Sequence, residues 1–152
     1  MMELSEKTKE YWEDRDWKDL EKVGNVADLY AIATRIISRM ERPLVQVCGP
    51  VGTGGLGSIE KNLEVFNDAI IKLQEKGLRV FDQMPFEDQM QNLKKKISTE
   101  KIVKDILNDF YLPIFKSGVI SAFYFLPNWK TSFGASWEHE EAKKLDIEII
   151  YL

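Results

Sequence analysis

The sequence predicts an α/β fold. We expect a single three-layer domain with a mostly parallel sheet of about four to five strands, Rossmann-like or flavodoxin-like, and an N-terminal helical extension. Three observations carry this expectation. Apolar runs at 44–48, 78–81, 122–126 and 147–151 have strand length and are separated by stretches of helical periodicity. A glycine-rich stretch follows the first run, and a polar turn with Pro127 and Asn128 follows the third. Both read as strand–loop–helix junctions, which in open α/β sheets lie at the carboxyl ends of strands, where ligands bind.

Taken in order, residues 3–23 are polar, charged and aromatic, with Tyr11, Trp12, Trp17 and Leu20 as the main apolar groups. Their periodicity is poor, which suits a helix docking on the surface or on a neighbouring subunit, or a mobile arm. The next helix is clearer. Asn25 can cap it, Asp28 stands where a capping acid belongs, and Val26, Leu29, Ala33, Ile36 and Met40 share one stripe. Pro43 separates it from the first strand, so residues 1–43 form the extension and 44–152 the α/β domain. Ser58 caps a helix whose stripe is Ile59, Leu63, Phe66, Ile70 and Leu73, and Gly77 stops it. The second strand, 78–81, should lie parallel to the first through a right-handed crossover. Phe86-Glu87-Asp88 opens a short helix running into Lys94-Lys95-Lys96, a solvated face at a helix end. Ser98 or Thr99 caps another, with Ile102, Ile106 and Phe110 inside, ended before Pro113. The third strand, a helix from Gly134 and the fourth strand complete the chain.

Composition excludes several function classes. At 152 residues, 44% hydrophobic and 30% charged, the chain has the profile of an ordinary single globular domain. A net charge of −4 argues against duplex nucleic acid as a partner. The lone Cys48 allows no internal disulfide and reads as a buried small hydrophobe. No apolar stretch reaches membrane-spanning length and the N-terminus is too charged for a signal peptide, so no membrane partner and a cytoplasmic location are expected. One histidine excludes a His-rich metal site. That residue, His139, should face the surface.

Two stretches carry candidate chemistry. Five glycines fall within residues 49–57, letting the backbone approach a ligand closely, or simply making a flexible connection. The stretch is neither a Walker loop nor a dinucleotide fingerprint. In the second stretch, 125–138, Ala135, Glu138, Ala142 and Leu145 share one helix face. That face is apolar, so the Glu138 carboxylate should point towards the sheet in the first turn. An acid there also complements the helix dipole, a purely structural role. Asp82 and Gln83, at the same sheet edge, could touch a base or a ribose hydroxyl, or be ordinary loop residues.

Leu126, Pro127, Trp129, Ser132, Gly134, Ala135 and Glu138, with the Gly49-Pro50 start of the glycine loop, resemble the nucleoside 2-deoxyribosyltransferase superfamily, and most closely its small bacterial and phage branch. The resemblance covers roughly residues 44–151. It implies that Glu138 is the nucleophile attacking the anomeric carbon of a deoxyribose, and that Gly49, Pro50, Thr53, Gly54 and Gly55, with Ser132 and Gly134, hold the sugar or a 5′-phosphate. Trp129 would pack against the base. Asp109, or failing that Asp105, would match the acid on the helix before the third strand. The chain departs from the pattern at Ser121, where relatives carry an Asp. The resemblance further implies a nucleoside or nucleotide ligand, no cofactor, and a homodimer or larger assembly completing the pocket. The activity expected is cleavage or transfer of an N-glycosidic bond. A nucleotide-binding sensor without turnover, and a structural or interaction protein working through its N-terminal aromatic segment, are the competing readings.

Overall fold

A computed structural model describes residues 3–52 and 54–152. Helices α1 (Glu6–Lys9), α2 (Asp14–Glu21) and α3 (Val26–Ser38) lead into strand β1 (Leu44–Cys48). Helix α4 (Ile59–Glu75) follows, then a 3₁₀ turn at Met84–Phe86, α5 (Glu87–Lys96), α6 (Thr99–Asp105), a π-helical segment at Ile106–Tyr111 and α7 (Leu112–Lys116). Strand β2 (Ile120–Phe125), a 3₁₀ turn at Trp129–Thr131, α8 (Phe133–Leu145) and β3 (Glu148–Tyr151) complete the fold.

Among the described residues the sheet has three strands, all parallel, in the order β1-β2-β3. The strand expected at 78–81 contributes one bridge only, between Val80 and Val45. Its two hydrogen bonds run from Val45 N to Arg79 O at 2.9 Å and from Phe81 N to Val45 O at 2.8 Å. The extended run stops there because Asp82 turns inward to accept from the Met84 amide, and Pro85 then starts a tight turn. This segment flanks β1 on the side away from β2. The chain therefore leaves β1 towards one side of the sheet and returns on the other, which makes the carboxyl end of β1 a switch point.

Successive strand residues face opposite layers. Leu44 and Cys48 of β1 pack with Phe123 and Phe125 of β2 in one cluster, which includes side chains of α2, α3, α5 and α7. Val45 and Val47 pack with Ala122, Leu126 and the α4 residues Phe66, Ile70 and Leu73 in the other. One polar residue, the fully buried Gln46, interrupts this apolar strand.

The aromatic N-terminal segment docks on the chain's own core. Trp12 stacks on Trp17 with ring centroids 4.2 Å apart and meets Phe86 at 5.3 Å. Thr8 donates through Oγ1 to Asp82 Oδ2 at 2.7 Å, and Ser5 Oγ donates to Gln74 at 2.6 Å. Asp16, with no exposed surface, is held by Arg35 of α3 and by Arg39, which caps that helix's end.

Candidate functional site

Helix α8 begins at Phe133, with the Ser132 hydroxyl accepting from the Ala135 amide at 3.2 Å. Its buried face consists of Ala135, Glu138, His139 and Ala142, so Glu138 does turn towards the sheet. There its Oε2 accepts from the Gln46 amide at 2.8 Å. Gln46 and Cys48 alternate onto the same face of β1, and the Cys48 thiol also hydrogen-bonds the carboxylate. These contacts account for the one polar position in β1.

The electrostatics differ from the simplest expectation. Glu138 is the sixth residue of α8, beyond the first turn, where the helix dipole has largely faded. Burial raises its carboxyl to about 8, against the hydrogen bonds from Cys48 and Gln46, and the nearby Glu87 adds to the rise. Burial likewise raises the Cys48 thiol well above its ordinary value, which fits an inert, buried cysteine.

Glu138 lies at the floor of a cleft of about 150 Å³. Gly49 at the end of β1 and Ser132, Gly134 and Ala135 at the start of α8 share that floor. The opposite wall is formed by Glu87, Met90 and Lys94 of α5, Val103 of α6, and Ile106, Leu107 and Tyr111 of the π segment. Mostly apolar walls around a few convergent polar groups are the usual composition of a small-molecule site. A second cavity, of about 390 Å³, lies under α1. Its arginines are already engaged, Arg39 by Asp16 and Arg79 by the Glu41 carbonyl.

The structure sorts the expected site residues. Gly49, Ser132, Gly134 and Glu138 meet in the cleft. A Cβ on Gly49 would run into the Leu126 side chain, so only glycine lets the loop lie against the β2 junction. Gly54 and Gly55 are left-handed, with φ of 70° and 62°, and close on the protein itself. The Gly55 amide donates to Thr131 Oγ1 at 2.7 Å, and Asn62 donates to the carbonyls of Val51 and Gly54. Pro50 is buried beside Gly55, outside the cleft wall. Thr53 lies outside the described residues.

Asp82 is spent on Thr8 and the Met84 amide rather than turned to the cleft. Trp129 does not line the cleft: it stacks on His139 at 4.1 Å and on Tyr151 at 6.2 Å. His139, expected at the surface, is buried under that ring and hydrogen-bonds Tyr151 Oη at 2.7 Å. The cause is β3 and the Trp129 turn, which cover a second stripe of α8. Asp109 is exposed and stands apart from the cleft, while Asp105 pairs with Lys101 at 3.1 Å. A π-helix widens the turn, so Ile106 is followed inward by Phe110 and Tyr111, and Asp109 is left outside. Ser121 donates to the Leu44 carbonyl at 3.2 Å, tying β2 to β1.

The cleft also holds Gln83, one of the loop candidates at the sheet edge, and Tyr111 and Glu87, which the sequence did not single out. Gln83 donates to the Val47 carbonyl at 3.1 Å, and among the described residues its buried Oε1 has no partner, leaving an acceptor at the wall. Tyr111 is buried, and burial lifts its hydroxyl well above the ordinary range. Glu87 is only 7% exposed; burial raises it to about 7 against the pull of the Lys94 ammonium. Its sequence position resembled a solvent-facing acid at a helix start, so only tertiary packing reveals it. Among the described residues no cluster of His, Cys, Asp and Glu could hold a metal, and no helix is long and apolar enough to cross a membrane. Compared with protein-family models, curated proteins and solved structures, the chain matches none.

Proposed function

We propose that the protein cleaves or transfers the N-glycosidic bond of a nucleoside or nucleoside 5′-monophosphate, with Glu138 as nucleophile. The observation that carries this reading is a buried carboxylate, with neutral donors and no cationic partner among the described residues, at the sheet's switch point, facing a cleft that a glycine-started loop lines. One Glu138 oxygen attacks C1′ as the bond to the base breaks, through an oxocarbenium-like transition state, giving a glycosyl-enzyme that water or a second base resolves. A carboxyl at about 8 keeps its proton at neutral pH in the empty cleft. Positive charge developing at C1′ draws it towards the ionised form, aided by the donors Gln46 and Cys48. A flavodoxin-like arrangement of the sheet and a homodimeric assembly belong to the same proposal.

The test is chromatographic detection of free base from a panel of nucleosides and 5′-monophosphates. Wild type should release base with kcat/KM climbing towards pH 8, and Glu138→Gln should lose at least about a thousandfold. No release from any member removes the reading.

A ligand-binding protein without turnover is the second reading, favoured by a carboxyl that holds its proton at neutral pH and by the outward position of Asp109. It predicts a nucleotide-induced rise in Tm, no free base, and binding that survives Glu138→Gln.

A further inference from the structure

Glu87 is the first residue of α5 and follows the 3₁₀ turn whose Phe86 is locked in the aromatic core against Trp12 and Phe110. An acid at a helix start ordinarily faces water or caps a backbone amide. Glu87 does neither: it is 93% removed from solvent, and α5 has no side-chain cap. Its side chain lines the same cleft as Glu138 from a different helix, near enough for its charge to raise the Glu138 carboxyl. The acids the sequence offered for this role do not reach the cleft: Asp82 is bonded to Thr8, and Asp109 is turned outward.

We propose that Glu87 is the proton donor of the reaction, so that Glu87 and Glu138 form a two-carboxylate pair across the cleft. This rests on the N-glycosidic reading of the same site. In the first step a Glu138 oxygen bonds to C1′, the electron pair of the C1′–N bond leaves with the base, and the Glu87 proton passes to the base, which departs neutral. In the second, water bonds to C1′, its proton returns to Glu87, and the bond to Glu138 breaks. If a second base is the acceptor, its N–H proton takes that place.

The groups facing Glu87 fit this role. Burial is opposed by the Lys94 ammonium on its own helix and by the Gln91 side chain, while Asp88 and Asp82 add negative charge and the Glu138 carboxyl and Tyr111 hydroxyl lie near enough to feel the charge of Glu87. The two carboxyls, at about 7 and about 8, hold protons with similar strength. The productive form has Glu138 ionised and the proton on Glu87; it is the less populated of the two singly protonated forms and is drawn on as positive charge develops at C1′.

A leaving-group experiment separates this from a structural role. The substrate found in the base-release panel is compared with an activated form whose base departs without a proton: the N7-methylated analogue for a purine, the 5-fluorinated analogue for a pyrimidine. We expect Glu87→Gln to lose about 10²- to 10⁴-fold in kcat on the ordinary substrate and to stay within a few-fold of wild type on the activated one. The alkaline fall of the wild-type pH profile should disappear in the variant. Glu138→Gln should lose both substrates. Equal losses of Glu87→Gln on the two substrates, or no loss on either, overturn the role of Glu87 while leaving the glycosidic reaction standing. Wild type inert towards both overturns the reaction itself. The isosteric variant's Tm, unchanged or higher, identifies folded protein.

Discussion

Asp16 on α2 and Glu138 on α8 are both carboxylates withdrawn from solvent, yet their surroundings have little in common. Asp16 meets Arg39 and Arg35, and the Glu13 amide donates to it at 2.8 Å. Burial alone would raise its carboxyl, but the Arg39 hydrogen bond, the backbone donor and the two guanidinium charges together hold it below the ordinary range. Glu138 has only the neutral donors Gln46 and Cys48 and a second acid nearby, and burial prevails. A carboxylate that ties α2 to α3 is supplied with cations. One that faces a cleft is left without them, and so sits where a proton or a developing positive charge changes its state.

The largest effect expected from breaking this contrast is on Asp16. Asp16→Ala takes the buried partner from Arg39 and Arg35, leaving them only the more exposed Glu13 and Asp19, and should cost roughly 3 kcal/mol, read as a lower denaturation midpoint in urea. A loss under about 0.5 kcal/mol would mean that the pair contributes nothing.

Glu138 should behave oppositely. Its folded-state value, about 8, lies above its ordinary 4.5, so the native protein binds that proton more tightly than the unfolded chain. Stability from this group is full below about pH 4.5, falls as pH rises through 8, and is level beyond. Glu138→Gln should therefore match wild type in acid and become the more stable protein, by a few kcal/mol at most, above pH 8. Parallel Tm curves for the two proteins across that range would remove the raised value. Asp16, lowered from 3.8, loses its contribution only as pH falls through its folded value.

The smallest effect tests the loop that borders the site. Thr131→Val removes the acceptor of the Gly55 amide and should cost about 1 kcal/mol. Hydrogen exchange at the Gly55 amide should accelerate while the β1 amides keep their protection; unchanged exchange would show that the contact does not hold the loop.

Much of the fold was legible because local rules and burial agree. Strands β1 and β2, the Asn25 and Ser58 caps, and the inward turn of Glu138 all follow from periodicity and capping. The parts that escaped are decided at a distance. The 78–81 run has strand composition, yet Asp82 bends it towards Thr8, more than seventy residues earlier in the chain. His139 was assigned to the surface from its helix angle, which carries no information about Trp129 or β3 covering it. Asp109 matches the family's acid by its place on the helix before β2, and the π segment leaves it facing outward. Glu87 looks like any acid opening a helix until the α5 wall closes over it. Of the candidate site, the floor could be read and the opposite wall could not.

The cross-links on that floor have a consequence for how the protein can change. Gly49 lies against Leu126, the Gly55 amide is held by Thr131, and Gln46 holds Glu138, so the β1 loop, the β2 junction and α8 are bolted together. A substitution at one of these positions displaces its partners. Met90, Val103, Ile106 and Leu107 on the far wall are aliphatic side chains that swap among themselves at small cost. Change in the shape of the cleft is then easiest on that wall, over a floor that stays much as it is.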